Sequence, residues 1–227
     1  MRKALLRLLL GLAACHAQAG PVAQVPGFGG QTFNVPITSM QAARTAATVL
    51  QKYDFSCGSA AVATLLSHHY GRRVTEQEVL QAMYAKGDQE KIRKEGFSLL
   101  DMKLYLEGLG YAADGFQQPL DRLAEARLPA IVLINESNYH HFVVIKGIRG
   151  GRVLLGDPAR GTRAVARDQF EKLWVGGLLF VIHSHVQQAR FNLASDWRAA
   201  PGSPLSSGVL RDMQPGLDIP RNGPRDF

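Results

Sequence analysis

The sequence contains very little cysteine, with Cys15 and Cys57 the two among 227 residues. Cys15 lies in an N-terminal segment with the features of an export signal, so the mature chain would keep Cys57 as a single free thiol. A disulfide framework is therefore excluded. A lone thiol in an oxidising compartment is either a small buried hydrophobic group or a nucleophile, and its surroundings decide between the two.

Long apolar runs and clusters of basic residues are also missing. The apolar stretch at residues 5–14 is interrupted by Arg7 and is shorter than the roughly 20 residues that a transmembrane helix needs. The 26 basic and 19 acidic residues give a net charge of +7, and three of the positive charges lie in the N-terminal segment. Because the remaining surplus is modest and no Lys/Arg run is present, nucleic acid is not an expected partner.

The remaining composition is that of a folding chain with appendages. Hydrophobic residues make up 46% and charged residues 20% of the sequence, close to ordinary globular usage. We expect a signal peptide over 1–19, an uncharged extended arm with a lead-in helix over 20–50, one folded domain over 51–185, and a flexible tail rich in Pro, Gly and Ser over 186–227.

The N-terminal segment predicts export to the periplasm. Arg2 and Lys3 precede the apolar stretch, and Ala17-Gln18-Ala19 forms an A-x-A cleavage site. Leu12-Ala13-Ala14-Cys15 also resembles a bacterial lipobox, in which Cys15 would be lipidated and become the mature N-terminus. Both routes lead out of the cytoplasm, one to a soluble form and the other to a lipid-anchored form.

Within the domain the patterns predict an α+β fold, with helices before strands. A T-x-x-E capping box at Thr75 and Glu78 marks one helix start. Short β-branched runs further along are bounded by Gly, Asn and Pro, which is typical of strands. The predicted helices are 57–70, 75–85, 98–107 and 119–126, and the predicted strands are 130–134, 142–148, 152–155 and 178–182.

Cys57 falls at the start of the first of these helices. Ser56 before it is a favourable N-cap, and Gly58-Ser59-Ala60-Ala61 continues the helix. Unpaired N–H groups and the helix dipole stabilise an anion in the first turn, which favours the thiolate. On this ground alone, a nucleophile and a small packed residue are equally good interpretations.

A base and an orienting acid come from a predicted hairpin whose turn is 147–151. If the hairpin is symmetric about Arg149, His141 stands opposite Asp157 on one face of the sheet, within reach of an imidazole–carboxylate hydrogen bond. A one-residue slip of register would separate them, and His140 is the rival that points to the other face. We prefer His141 because its parity matches that of Asp157. The alternative is a polar rim where two strands end.

Gln51 lies six residues before Cys57. Its side-chain N–H could join the Cys57 backbone N–H in binding an oxyanion. A solvated Gln at a helix end is the simpler interpretation of this residue taken alone.

Four blocks in order, 51–58 (QKYDFSCG), 96–100 (GFSLL), 141–144 (HFVV) and 156–161 (GDPARG), resemble the papain-like double-glycine leader peptidases. That family is best known as the N-terminal domains of bacteriocin-exporting ABC transporters. The resemblance covers 51–182 and implies a papain-like fold, in which a Cys at a helix start packs on an antiparallel sheet carrying His and Asp. It further implies Cys57 as nucleophile, His141 as general base and acid, Asp157 as orienter and Gln51 as oxyanion donor. The family's usual cut follows a Gly-Gly pair, whose missing side chains let the backbone enter a narrow cleft.

Two features depart from the transporter-borne members. Many of those have Asp immediately before the Cys, where this chain has Ser56, with Asp54 two places earlier. No ATPase or membrane domain follows the peptidase segment, and an export signal precedes it. This organisation is similar to the stand-alone periplasmic peptidases encoded with secreted functional-amyloid fibres. The resemblance implies a polypeptide substrate that is a fibre subunit or an outer-membrane secretion component.

Other histidines and glycines give weaker signals. His183 and His185 are two apart near a strand end and could chelate a metal, but a solvated strand end is favoured, and no metal or cofactor is expected. His68 and His69 are expected at the surface or at a helix end. Gly29-Gly30 in the arm could mimic a substrate and invite self-cleavage.

The leading hypothesis is therefore an exported cysteine endopeptidase, monomeric, with peripheral or lipid-anchored contact with a membrane as a further option. One rival is acyl transfer to an amine by the same residues. The other is a papain-like peptide-binding module or secretion chaperone that does not cut. A Cys57→Ala variant that supports fibre export as well as the parent would favour this last reading.

Overall fold

The structure is a computed structural model that describes residues 22–26 and 30–202, which fall into two compact units divided after Met40. The expected signal peptide, the Cys15 lipobox, the first glycine of Gly29-Gly30 and the tail over 203–227 lie outside the described residues.

The expected extended arm forms an antiparallel hairpin. Its strands are β1 (Val22–Pro26) and β2 (Thr32–Pro36), paired from Val22↔Pro36 to Pro26↔Thr32. Val22, Val25, Phe33 and Val35 of these strands are exposed. The lead-in helix is α1 (Met40–Thr45), shorter than the pattern suggested.

The predicted helices form in the second unit, with small shifts at their ends. Thr75 caps α3 in a complete capping box with Glu78, as predicted, and Ser98 caps α5 in a second box with Asp101. No helix in the described part of the chain is long and apolar enough to cross a membrane. The helices of this layer are α2 (Cys57–Thr64), which continues as a π-helical stretch (Leu65–His69), α3 (Glu76–Lys86), α4 (Gln89–Glu95) and α5 (Leu99–Gly108).

The strands that follow build one six-stranded antiparallel sheet, in the order β3-β8-β4-β5-β6-β7. The α+β prediction is confirmed, but the two edge strands, β3 and β7, were not predicted because their sequences are polar and short. The elements are β3 (Ala113–Gln117), α6 (Leu120–Ala126), β4 (Ala130–Glu136), β5 (Tyr139–Arg149), β6 (Arg152–Asp157), β7 (Gly161–Ala166), α7 (Arg167–Leu173) and β8 (Leu178–Ile182).

The sheet is buried on both faces. Alternate residues of β5 enter different hydrophobic clusters, so Val144 packs with α2, α3 and α5 while Val143 packs with α6 and α7. This two-sided burial explains why β4 and β5 are nearly continuous apolar runs and not alternating ones.

The first part of the predicted flexible tail is instead folded against the domain. Val186–Gln188 is a 3₁₀ turn and α8 spans Ala194–Arg198. Trp197 is buried, the Arg149 guanidinium lies 4.7 Å from its ring centre, and the Asn192 N–H donates to the Lys146 carbonyl at 2.9 Å. The expectation was wrong over 186–200 because it followed the Pro, Gly and Ser content of the whole segment, whereas Phe191 and Trp197 supply enough apolar surface to dock it.

Candidate active site

Cys57 is the first residue of α2 and is a free, buried thiol with 7% of its surface exposed. Ser56 occupies the N-cap position as predicted, but its side chain makes no capping hydrogen bond. Its hydroxyl instead donates to the Tyr53 carbonyl at 2.9 Å and accepts from the Tyr53 N–H at 3.1 Å. The first N–H groups of α2 are therefore left without a side-chain cap, which keeps the positive end of the helix available to an anion.

Gly58 lets the helix approach its neighbour closely. A Cβ at this position would lie 2.7 Å from Met102 Cε and 3.0 Å from Phe97 Cβ. Phe97 belongs to the GFSLL block, and Gly96 before it has a positive φ of 80° that suits glycine. The first two sequence blocks thus meet as packing partners that fix the start of α2.

His141 and Asp157 are brought together as predicted. His141 Nε2 lies 2.7 Å from Asp157 Oδ1, and both residues are buried, with 4% and 1% of their surfaces exposed. His140, the rival, is exposed and pairs with Asn135 in the ladder. The structure therefore assigns the carboxylate contact to His141.

The register that produces this contact differs from the predicted one. The turn is Gly150-Gly151, both with positive φ, and Arg149 pairs with Arg152, so the hairpin is not symmetric about Arg149. Gly147 pairs with Leu154 and Ile145 with Leu155, which leaves Lys146 as the extra residue of a β-bulge.

The bulge restores the parity that the contact needs. Beyond it Val144 pairs with Gly156, and one more step sets Asp157 level with Val143. His141 is therefore a diagonal neighbour of Asp157 on the same face, not its direct partner, and diagonal neighbours are within reach of long side chains. In a regular ladder from the same turn, Lys146 would pair with Leu155, and Asp157 would lie level with Val144 and point to the opposite face.

The loop after Asp157 holds the carboxylate in place. The Ala159 N–H donates to Asp157 Oδ1 at 2.9 Å, and the Arg160 N–H donates to the Asp157 carbonyl at 3.1 Å. Gly161 closes the loop with φ +77°, and a Cβ there would lie 2.8 Å from the Arg44 carbonyl. This accounts for the GDPARG block: Asp bonds its own loop, and Gly gives both the turn and the space.

Burial and hydrogen bonding act in opposite directions on these two groups. Burial lowers the pKa of His141, but hydrogen bonds with Asp157 and Cys57 and the negative charges of both raise it to about 9. Burial raises the pKa of Asp157, but the His141 and Ala159 hydrogen bonds and the His141 and Arg163 charges lower it to about 2. An imidazolium–carboxylate pair is therefore the stable form around neutral pH.

The second ring nitrogen of His141 faces a different environment. Nδ1 is buried and has no hydrogen-bond partner among the described residues. Cys57 is close enough to raise the His141 pKa, and with Nε2 occupied by Asp157, Nδ1 is the nitrogen left for it. The two nitrogens therefore have different surroundings, one held by a carboxylate and the other without a hydrogen bond.

Gln51 lies on the loop that leads to Cys57, and its backbone N–H donates to the Pro158 carbonyl at 2.9 Å. One side-chain N–H donates to the Tyr53 carbonyl at 3.0 Å, while Oε1 is buried and has no partner within the described residues. The Gln51 amide also lies against the Tyr139 phenol.

Tyr139 is a residue of the site that the sequence analysis missed. Its ring stacks on His141 with centroids 5.6 Å apart, and its hydroxyl donates to the Asp54 carbonyl at 3.2 Å. It therefore joins the strand that carries His141 to the loop before Cys57. The signal was its parity, since Tyr139 lies two residues before His141 on the same strand face.

Arg163 is a second missed residue. Its Nε donates to Asp157 Oδ2 at 2.8 Å, and its Nη2 donates to Glu136 at 2.9 Å. Arg163 lies two residues after Gly161 on β7, the strand that was not predicted. A correct reading of that strand would have placed it beside Asp157.

His69, His183 and His185 do not join the site. His183 bonds Asp114 at 2.9 Å and His185 bonds Ser184 at 2.7 Å, so their side chains have separate partners. His69, expected at the surface or at a helix end, is the last residue of the π-helical stretch and is fully buried. It bonds the Arg190 carbonyl through Nδ1 at 2.6 Å, and burial lowers its pKa to about 3. No group of three metal-ligating side chains converges anywhere in residues 22–26 and 30–202.

An apolar groove of about 590 Å³ lies between α5 and the sheet. Phe142, the neighbour of His141, lines it together with Leu99 and Leu100 of α5. A polypeptide with apolar side chains fits such a surface.

Comparisons with known proteins agree with this geometry. Residues 45–185 match the Peptidase C39 family. The chain is 41% identical over 182 residues to the probable functional amyloid protease FapD of Pseudomonas aeruginosa and 40% identical to that of Pseudomonas fluorescens, covering 80% of each chain in both comparisons. It is 30% identical to the lactococcin-G-processing and transport ATP-binding protein LagD of Lactococcus lactis, over 58% of this chain and 18% of that one.

Solved structures share the fold. A double glycine motif protease from an AMS/PCAT transporter, in complex with its leader peptide, is 23% identical with a TM-score of 0.50, over 60% of this chain and 91% of that one. The peptidase domain of Streptococcus ComA is 20% identical with a TM-score of 0.50, over 60% of this chain and 97% of that one. The chain belongs to the Peptidase C39 family and is a cysteine peptidase with a papain-like fold.

Proposed function

We propose that this protein is an exported endopeptidase that cleaves after a Gly-Gly pair in a secreted polypeptide, with Cys57, His141, Asp157 and Gln51 as its site. The observation that carries the proposal is that the two nitrogens of the His141 ring have different neighbours. Asp157 holds Nε2 at 2.7 Å, and the buried Nδ1 is left for Cys57. A base held from one side and free on the other is what a thiol nucleophile requires.

In the proposed reaction the Cys57 thiolate attacks the carbonyl carbon of the scissile peptide bond. The oxyanion that forms accepts hydrogen bonds from the Cys57 backbone N–H and from a Gln51 side-chain N–H. His141 Nδ1 then gives its proton to the leaving amine as the C–N bond breaks, which leaves a thioester on Cys57. Water, deprotonated by the same nitrogen, hydrolyses the thioester, releases the acid product and restores the starting pair.

The oxyanion role of Gln51 rests on its remaining N–H. One of the two amide hydrogens is used on the Tyr53 carbonyl, which fixes the plane of the amide. The other hydrogen faces the Tyr139 phenol, and in the proposed reaction it turns from the phenol oxygen to the oxyanion.

The substrate proposal rests on similarity and on the groove. The FapD relatives are named as probable functional amyloid proteases, and one solved relative is described in complex with a leader peptide. We propose a component of functional-amyloid biogenesis as the substrate, with apolar side chains that occupy the groove beside Phe142. Export follows from the N-terminal signal, with cleavage after Ala19 or lipidation at Cys15 as the two routes.

Peptide cleavage tests the central claim. Peptides carrying Gly-Gly and the matched Gly-Ala and Ala-Gly pairs are incubated with the parent and with Cys57→Ala, and the products are identified by mass spectrometry. We expect cleavage after the second glycine by the parent alone. Binding of the Gly-Gly peptide without cleavage would instead indicate a peptide-binding module, and products joined to an added amine would indicate acyl transfer.

Cell fractionation tests export. The parent is expected in the periplasmic fraction, and a Cys15→Ala variant distinguishes the two routes, since it abolishes labelling by a radioactive fatty acid only if Cys15 is lipidated. A parent that stays in the cytoplasm would contradict the export proposal and leave the peptidase chemistry untouched.

A further inference from the structure

A chain of alternating charges stands behind the His141–Asp157 pair. Arg163 bonds the Asp157 oxygen that His141 does not use, at 2.8 Å, and also bonds Glu136 at 2.9 Å. Arg160 bonds the other oxygen of Glu136 at 2.9 Å. The order from the site outward is therefore His141, Asp157, Arg163, Glu136 and Arg160.

The hydrogen bond from Arg163 leaves both carboxylate oxygens of Asp157 occupied. Oδ1 accepts from His141 Nε2 and from the Ala159 N–H, and Oδ2 accepts from Arg163 Nε. Asp157 is 1% exposed, so water does not hold the carboxylate in its place. Rotation about the carboxylate bond would break all three contacts, and the guanidinium that holds Oδ2 is itself held by Glu136 through Nη2.

Resting on the proposed roles of Cys57, His141 and Asp157, we propose that Arg163 is a positioning residue of this peptidase. It holds Asp157 ionised and oriented so that His141 presents Nδ1 to Cys57. Arg163 does not touch the substrate, and it acts through Asp157. Its side chain is 19% exposed against 57% for that of Arg160, which places it between the site and the surface.

The groups that face Asp157 define the expected pH effect. His141 comes from β5 and Arg163 from β7, while Cys57 of α2 and the phenol of Tyr139 act through the His141 side. Without the Arg163 charge the carboxyl takes up a proton at higher pH and no longer supports the imidazolium. The thiolate–imidazolium pair then forms only at higher pH, so the acid limb moves upward.

Arg160 supplies a matched control. Both arginine side chains contact Glu136 at 2.9 Å, but only the Arg163 side chain contacts the Asp157 carboxylate; Arg160 reaches Asp157 through its backbone N–H, which a substitution keeps. Arg160→Gln therefore removes the same kind of surface ion pair and leaves the Asp157 contacts in place. Such an exposed pair contributes little to stability.

The experiment measures two quantities across pH for the parent, Arg163→Gln, Arg163→Met, Arg163→Lys and Arg160→Gln in the full chain. The first is the rate at which iodoacetamide alkylates Cys57, which reports the thiolate without any peptide substrate. The second is kcat and KM for Gly-Gly peptide cleavage.

We expect both Arg163→Gln and Arg163→Met to shift the acid limb of the alkylation rate to higher pH. They should also lower kcat about tenfold, the effect of losing one charge-assisted hydrogen bond, with little change in KM. Arg163→Lys should return the acid limb of alkylation to its position in the parent and recover part of kcat. Lysine keeps the positive charge but lacks the planar guanidinium that bonds Asp157 and Glu136 together. Arg160→Gln should match the parent in both measurements.

Neutral variants at 163 that are indistinguishable from Arg160→Gln in the acid limb and in kcat would overturn the proposal. If Arg163→Gln does not fold, Arg163→Met, which keeps an aliphatic side chain, supplies both measurements. If the parent alkylates normally but cleaves no peptide, the proposed function fails, while a shifted limb in the position-163 variants would still support the positioning role.

Discussion

Two buried pairs of opposite charge share strand β5. His141 pairs with Asp157 at 2.7 Å, and five residues along, on the bulge, Lys146 pairs with Asp196 of α8 at 3.2 Å. All four side chains are almost completely buried, and one partner of each pair comes from β5. In burial and separation the two pairs are alike.

They differ in the kind of group that is left without a hydrogen bond. Lys146 Nζ donates to the Ala47 carbonyl at 2.7 Å and to the Thr162 hydroxyl at 3.3 Å, and Asp196 Oδ2 lies 3.2 Å from it as an ion-pair partner without a hydrogen bond. At the other pair, the atom without a hydrogen-bond partner among the described residues is the buried His141 Nδ1. A carboxylate oxygen held by an ammonium group serves the fold, whereas an imidazole nitrogen can take up and release a proton.

The largest expected effect is the loss of activity when the His141–Asp157 pair is broken. Asp157→Asn should reduce kcat by about 10³–10⁴-fold, because an amide no longer stabilises the imidazolium or selects its tautomer. Asp196→Asn, at the other pair, should leave kcat per folded molecule close to that of the parent. Steady-state kinetics on the Gly-Gly peptide, corrected for the folded fraction, checks both. Equal losses in the two variants would remove the distinction between the pairs.

The second prediction concerns stability. Lys146→Met should lower the free energy of unfolding by about 3–5 kcal/mol, since it leaves Asp196 buried and unpaired. The double variant Lys146→Met/Asp196→Leu should recover most of that loss, because it removes both charges together. Urea denaturation provides the measurement. A double variant as unstable as the single one would show that packing at the bulge matters more than charge.

The third prediction concerns how the site pair stabilises the fold with pH. The His141 pKa is raised to about 9, so its contribution is fully present below its ordinary value of about 6.5 and is lost as the pH rises through 9. The Asp157 pKa is lowered to about 2, so its contribution is present above its ordinary value of about 3.9 and is lost as the pH falls through 2.

Thermal melts of the parent and Asp157→Asn should therefore differ most between about pH 4 and 6.5, by on the order of 1 kcal/mol, and converge on both sides. A difference that is constant from pH 2 to 9 would contradict the pairing.

The smallest expected effect concerns Tyr139, whose ring stacks on the imidazole of the His141–Asp157 pair. Tyr139→Phe removes one half-exposed hydrogen bond to the Asp54 carbonyl and keeps the ring on His141, so kcat/KM should fall about threefold. Tyr139→Ala also removes the stacked ring and should cost more. Kinetics of the two variants in parallel separates the two contributions, and equal losses would assign the whole effect to the hydroxyl.

Local signals predicted much of the fold and part of the site. The Thr75 capping box and the strand Leu178–Ile182 appear where the sequence places them, since both depend on neighbouring residues. The His141–Asp157 contact was predicted correctly but from a wrong register, because the predicted pairing at the turn was wrong by three residues, the bulge at Lys146 takes back one, and parity survives the remaining error of two.

Contacts between residues far apart in the chain could not be predicted from the sequence. Lys146 interrupts an apolar run and precedes a glycine, which is a signal for a bulge, but its partner Asp196 lies 50 residues away in a segment whose composition suggested flexibility. Arg163 was missed for a similar reason: its strand is short and polar, and only its pairing with β6 reveals its position.

The bulge at Lys146 makes pairing register, more than side-chain identity, the sensitive property of β5. If Lys146 paired with Leu155 in a regular ladder, the acid would turn away from the imidazole while every residue of the site remained in the gene. Changes that shift this register are therefore expected to inactivate the enzyme, whereas additions to the Gly150-Gly151 tip leave the ladder unshifted and are expected to be accepted.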